Sequence, residues 1–152
     1  MAKLIYDYWF VQFDFPNEDS KPYKSSGGKM VWSEELKREI PEGWEVVKLS
    51  SCCNIIDCLH SKKSDFVFED ENYYLLQLEN ISDDGLIDLK SKYYVSKAEY
   101  SRWTTRIEVQ DHDLVITNAG RVAGLSQIPK NVKAGIGRNI TAIRPVKILP
   151  TF

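Results

Sequence analysis

Asp113-Leu114-Val115-Ile116-Thr117, followed at once by Asn118-Ala119-Gly120, reads as a short β-strand running into a loop. Leu, Val, Ile and Thr fit a pleated, half-buried surface, and the branched side chains among them lose χ1 freedom in a helix. Runs of the same kind recur at Asn54 to Cys58, Tyr73 to Leu78 and Asn139 to Arg144. Between them, Ser96-Lys97-Ala98-Glu99 matches a capping box, in which serine and glutamate satisfy each other's orphan amides. That predicts a helix to about Trp103. Upstream, Pro41-Glu42-Gly43 is a turn that launches Trp44-Glu45-Val46-Val47-Lys48-Leu49. Its alternation, with Trp44, Val46 and Lys48 on one side, predicts another strand. Strands mixed with short helices and many turns give an α+β fold class, a twisted and mostly antiparallel β core with short helices, over residues 41–152.

The first 40 residues read differently. Leu4 with Tyr8 and Ile5 with Trp9 are i, i+4 pairs, so Ala2 to Gln12 forms one apolar stripe as a helix. No N-cap precedes it, as in the last part of a longer helix. Phe13-Asp14-Phe15-Pro16 stops it, because a residue before proline is driven to extended geometry. Asn17 to Gly28 is polar, contains Pro22, ends in Ser25-Ser26-Gly27-Gly28 and reads as a linker. A short helical turn is expected from Ser33, as N-cap, through Lys37.

Composition narrows the classes. A 43% hydrophobic fraction with four Trp, eight Tyr and six Phe belongs to a folded chain. No apolar run approaches the roughly 20 residues that span a bilayer, and no basic-then-apolar leader opens the chain. The cytoplasm is the expected compartment, and no membrane partner is expected. Three cysteines crowded at Cys52, Cys53 and Cys58 make a poor disulfide framework. With His60 they have zinc-ligand chemistry, but vicinal cysteines cannot both reach one ion without bending back and no second ligand pair follows. Half-buried thiols are the expected reading, and no metal is assigned. His112 lies between Asp111 and Asp113, an arrangement that can mimic an oriented base; a surface turn is the plainer reading. No nucleophile or phosphate-loop pattern accompanies it.

The net charge of −2 argues against a nucleic-acid binder, but its distribution argues for one. No acidic residue follows Asp113, whereas Arg121, Lys130, Lys133, Arg138, Arg144 and Lys147 do. Such asymmetry suits a polyanionic partner, and equally a solvated basic face.

Specific residues add a family. Ile5-Tyr6-Asp7-Tyr8-Trp9-Phe10-Val11-Gln12-Phe13-Asp14-Phe15-Pro16, followed by Lys21-Pro22-Tyr23-Lys24-Ser25-Ser26-Gly27-Gly28, resembles the central conserved region of type I restriction-modification specificity subunits. Ile40 to Leu49 resembles the opening of a target-recognition domain of that family. Leu78 to Gly85, Asp113 to Gly120 and Gly137 to Pro145 resemble later blocks, in the family's order. The resemblance implies that residues 1–40 are the end of a conserved spacer helix and a linker, and 41–152 a recognition domain. It further implies sequence-specific binding of double-stranded DNA as part of a specificity subunit, with methyltransferase and restriction subunits as partners. Such a subunit needs no catalytic residues and no cofactor of its own. Against the family pattern the first recognition domain is missing, and the second is expected to lack its last part. An alternative follows: a truncated, non-reading copy that serves only as an assembly or recombination piece docking the methyltransferase subunit.

Base reading needs paired donors and acceptors, chiefly Arg for guanine and Asn or Gln for adenine; phosphate anchoring needs Lys, Arg or small polar donors. Asn118 to Asn139 supplies both, through Asn118, Arg121, Ser126, Gln127, Lys130, Asn131, Lys133, Arg138 and Asn139. Arg121, Gln127 and Asn131 are the favoured base readers, and Lys130, Lys133 and Arg138 the favoured phosphate contacts. Gly120, Gly124, Gly135 and Gly137 would admit a phosphate close to the backbone. Arg138 and Arg144 flank a strand and serve equally well as structural ion-pair partners. Lys62 and Lys63, beside His60, form a second basic cluster that reads first as solvated surface. Tyr6, Tyr8, Trp9 and Phe10 resemble a stacking platform, but their helical spacing favours packing against a helix or the methyltransferase subunit.

Overall fold

The structure is a computed structural model that describes residues 2–59, 65–67, 72–82, 84–120 and 124–146. It is α+β and divides into two compact units, Met1–Val47 and Lys48–Phe152.

In the first unit, α1 (Ala2–Tyr6) runs into one π-helical turn, Asp7–Val11, closed by Gln12 N donating to Asp7 O at 2.9 Å. Along it Tyr6 and Phe10, four residues apart, bring their ring centroids to 5.4 Å. The helix ends at Phe13, three residues before Pro16, because Phe13 takes a left-handed backbone with φ 62. This turns its ring inward, edge-on to Trp44 at 5.7 Å and beneath the Arg38 guanidinium at 4.7 Å. Phe15 stacks between Tyr23 and Trp44, centroids 4.8 and 5.3 Å away. The segment 17–28, polar in sequence, is ordered by its own hydrogen bonds. Asn17 Oδ1 accepts from the amides of Asp19 and Lys21, a bridge joins Pro16 and Pro22, and buried Asp14 accepts from both the amide and hydroxyl of Ser25 at 2.7 and 2.6 Å. These bonds fold the segment back on itself.

The helical turn expected after Ser33 is instead the tip of a hairpin between β1 (Met30–Ser33) and β2 (Arg38–Pro41). Ser33 Oγ does accept from Leu36 N, at 3.2 Å, but left-handed Lys37 (φ 51) turns the chain into β2. Trp44 to Leu49 is not a strand either. No ladder partner is found for it among the described residues; Trp44 is drawn to the phenylalanines and Leu49 opens α2 (Leu49–Cys52).

The second unit holds two sheets. Four strands pair antiparallel in the order β3 (Cys53–Asp57), β9 (Ile140–Pro145), β6 (Leu114–Thr117) and β7 (Leu125–Gln127). Three short ones follow the order β5 (Tyr93–Tyr94), β4 (Tyr74–Leu76) and β8 (Gly135–Ile136), with β4 and β8 parallel. Period-2 alternation sorts their side chains. Val115, Ile140 and Ala142 face the main core with Ile81, Val109 and Ile128, while Leu114, Thr141 and Ile143 are half exposed. β4 is buried on both faces: Tyr74 and Leu76 enter that core, whereas Leu75 packs with Val95, Tyr100 and Trp103. Helix α3 (Lys97–Trp103) realises the serine half of the expected box, Ser96 Oγ accepting from Glu99 N at 3.2 Å, while the Glu99 carboxylate accepts from Arg102 Nη2 at 2.8 Å and Trp103 Nε1 at 3.2 Å.

Gly135 and Gly137 serve packing rather than phosphate approach. A Cβ on Gly135 would lie 2.5 Å from Leu75 Cδ2, and one on Gly137 would lie 2.6 Å from Leu76 O. Both residues are buried against β4.

Candidate nucleic-acid interface

The sheet β3-β9-β6-β7 determines where the candidate residues lie. At the end where β6 leaves the sheet and β9 enters it, the chain presents Asn118, Arg138 and Asn139, all exposed. Asn139 is left-handed, φ 63, and its carbonyl accepts from Asn118 N at 2.8 Å, which fixes the turn against the strand end. Gln127 sits at the opposite end, paired with Leu114 in the β6–β7 ladder. Beyond it the loop to β8 exposes Lys130, Asn131 and Lys133 and tucks Ile128 and Val132 into the core. Asn131, left-handed at φ 64, makes the reversal. Gln110, Asp111, Lys130, Asn131 and Lys133 line an open cleft of about 320 Å³.

The candidates therefore form two groups rather than one loop cluster. Ser126 joins neither: it is 1% exposed and its hydroxyl donates to Leu86 O at 3.0 Å, because its place in β7 points inward. Arg121 lies outside the described residues, as do His60, Lys62, Lys63 and Lys147.

Among the described residues Lys130, Lys133 and Arg138 have no ion-pair partner. Arg144 is different. Its Nε and Nη2 grip the Asp113 carboxylate at 2.8 and 2.6 Å, and Nη2 also reaches Glu108 O at 2.8 Å. The paired carboxylate holds the guanidinium above its already high ordinary pKa. Of the two readings open for Arg144, the geometry realises the structural one. The same pairing turns Asp113 away from His112, which sits in a left-handed turn (φ 69) with its ring exposed, 3.6 Å from Asp111 Oδ2 and 3.5 Å from Gln127 Nε2.

One candidate, Asn118, belongs to a group whose other members, Asp57 and Thr141, were not among the candidates. Asp57 at the end of β3, Asn118 just past β6 and Thr141 in β9 form a hydrogen-bonded triangle. Asn118 Nδ2 lies 3.1 Å from Asp57 Oδ1 and 2.8 Å from Thr141 Oγ1, and Thr141 Oγ1 lies 3.0 Å from Asp57 Oδ1. A faint signal existed in the sequence: Thr141 has opposite phase to Ile140 and Ala142, so it must face outward. Strand order, which brings Asp57 beside it, was not readable.

The cysteines follow the expected thiol reading: Cys52 and Cys53 are half-buried at the α2–β3 junction and Cys58 is buried. Among the described residues no three His, Cys, Asp or Glu side chains converge as a metal site, and no helix is long and apolar enough to cross a membrane.

No protein-family pattern and no curated protein matches the chain. Among solved structures, the HsdS subunit from Thermoanaerobacter tengcongensis shares its fold, with a TM-score of 0.52 at 22% identity. The match covers 71% of this chain and 25% of that one, so the chain corresponds to about a quarter of the HsdS subunit.

Proposed function

We propose that this chain is part of a type I restriction-modification specificity subunit and contributes sequence-specific recognition of duplex DNA. The observation that carries the reading is the loop after β7, where Lys130, Asn131 and Lys133 stand exposed around one cleft with both lysines unpaired among the described residues. Unneutralised lysines release condensed counterions on meeting phosphates, and an amide between them suits a base edge. Arg138 and Asn139 offer the same combination at the other end of the sheet. The likeness to an HsdS subunit and the resemblance of the sequence blocks to specificity subunits support the same reading. In it, residues 1–40 are the end of the spacer and its connection, residues 41–152 the recognition domain, chemistry resides in methyltransferase and restriction subunits, and the complex works in the cytoplasm.

Binding of the chain to a duplex library across a salt series tests this. Enrichment of a sequence is expected, with affinity falling steeply as salt rises; Lys130→Ala and Lys133→Ala each lower the salt slope by about 1 without changing the enriched sequence. Salt-independent or sequence-blind binding refutes the reading.

A second reading has one observation in its favour. Tyr6, Trp9 and Phe10 are 59, 37 and 44% exposed in the first unit, an apolar face of the kind that docks a protein. A non-reading assembly piece would be captured by the methyltransferase subunit through this face and would enrich no DNA sequence.

A further inference from the structure

We infer that the cleft along β3, the strand at one edge of the four-stranded sheet, is a phosphate-binding site built on Arg106, which lies outside the basic stretch after Asp113. The segment after α3 passes the end of β3, and there Arg106 Nη1 donates to Cys58 O at 3.0 Å and to Asp57 O at 3.4 Å. These bonds fix the guanidinium. Its other edge, Nε with Nη2, has no partner among the described residues, and the residue is exposed. Arg144 shows what such an edge does: through the same two atoms it grips the Asp113 carboxylate at 2.8 and 2.6 Å. A fork of two N–H groups matches two oxygens of a carboxylate or phosphate, and one already held in place loses little freedom on binding.

The surroundings select the anion. Arg106 and Arg144 line one open cleft of about 490 Å³ with Ser50, Asn54, Ile55 and Ile107, and no carboxylate lines it. Asp113, which neutralises Arg144, is buried outside that lining. Arg144 Nη1 takes no part in the bonds to Asp113 and Glu108, so it remains a donor. The Cys53 thiol on the same wall stays protonated, because burial and then the bond to Cys52 push its pKa up, and it does not repel an anion. Donors thus come from α2, β3, β9 and the segment after α3, and several directions suit a tetrahedral phosphate better than the single plane of a carboxylate. An open cleft admits a phosphate of a nucleic-acid strand as well as a free one. β3 pairs Asp57 with Thr141 of β9, which puts Arg106 at the end of the sheet where Asn118, Arg138 and Asn139 emerge. The strand as source rests on the DNA-reading proposal; the phosphate chemistry does not.

The test uses the whole chain and two probes. Inorganic phosphate is titrated at constant ionic strength, held with sodium chloride, while the Arg106 Nε–H and Asn54 side-chain signals are followed by NMR. A saturable shift is expected, weakened roughly ten-fold by Arg106→Ala and roughly five-fold by Asn54→Ala. Duplex binding is then measured across a salt series. Arg106→Ala is expected to lower the salt slope by about 1; Arg106→Lys, which keeps the charge without the fork, keeps the slope and loses affinity. Melting curves of each variant separate lost binding from unfolding. A lowered slope, with or without the phosphate shift, assigns the site to the DNA backbone. A phosphate shift with an unchanged slope assigns it to a free phosphate. Neither a shift nor a change of slope overturns this inference and leaves the DNA-reading proposal standing. A chain that binds no duplex overturns that proposal, and the phosphate titration alone then decides this one.

Discussion

Replacing Arg144 by alanine is expected to destabilise the second unit by about 3 kcal/mol. The Asp113 carboxylate is 1% exposed and accepts three bonds: Arg144 Nε at 2.8 Å, Arg144 Nη2 at 2.6 Å and Gln110 N at 2.9 Å. Removing the guanidinium deletes both charge-assisted bonds and leaves a buried anion with one backbone donor. Breaking such a pair costs roughly 3–5 kcal/mol. The lower end applies because the Arg144 side chain is 32% exposed and its charge is partly solvated. For a unit of about 100 residues this lowers the melting temperature by roughly 12–24 °C. Urea unfolding gives the free energy, and amide exchange along the β6–β9 ladder shows that the loss is local to this sheet. Asp113→Ala and the double variant Asp113→Ala/Arg144→Met complete a cycle, in which the double variant is expected to recover at least about 2 kcal/mol of the summed single losses. An Arg144→Ala variant within about 1 kcal/mol of the parent, or additive single effects, refutes the assignment of Arg144 as a structural partner and returns it to the exposed basic set.

Gly137→Ala is expected to cost about 1–3 kcal/mol, because the new methyl meets the Leu76 carbonyl at 2.6 Å, and backbone yields less than a side chain. Gly135→Ala should cost less, since its nearest neighbour is the end of Leu75; denaturation of the pair gives the order. Acid should loosen the first unit through Asp14. The hydroxyl and then the amide of Ser25 hold its pKa below the usual carboxylate value, so its stabilisation is present above the unfolded value near ~4 and is lost as pH falls through the lowered folded value. Exchange of the Ser25 amide against pH reads this directly, and Ser25→Ala should abolish the acid-sensitive step. Alkali should act on the second unit. Burial, reinforced at Tyr100 by its 2.8 Å bond to Glu108, pushes Tyr74 and Tyr100 above the ordinary phenol range. Their stabilisation is complete below the unfolded value near ~10 and drains away as pH rises beyond it. Phenolate absorbance that appears with the loss of circular dichroism agrees; full ionisation in a still-folded chain contradicts it.

Elements made by local chemistry were legible from sequence. Val115 and Ile140 mark their strands by side-chain shape, and Ser96 marks its helix by the bond it makes three residues on. Elements made by distant partners were not. Trp44 alternates correctly for a strand, yet its ring is recruited by Phe13 and Phe15, which outweighs a ladder that had no partner. Asn17 to Gly28 is polar like a linker, but its polar atoms bond one another and Asp14. For the interface, composition found the right stretch and could not sort it. Gln127 and Asn118 are nine residues apart in the chain but lie at opposite ends of one hairpin, and Ser126 is removed from the surface by the phase of its strand alone.

The pairing of β3 with β9 sets an order of assembly. Cys53 lies opposite Pro145, and Val146 N donates to Cys52 O at 2.9 Å, so one edge of the sheet closes only when the far end of the unit arrives. The β6–β7 hairpin needs only its own neighbours and can form early. β3 must wait for roughly 90 more residues, about 5–20 s on a ribosome adding 5–20 residues per second. Through that interval the edge that carries Ile55 and Ile56 is unpaired, the condition in which strands seek other chains. Synthesis of this protein thus passes through a window in which its solubility depends on how fast residue 145 follows residue 53.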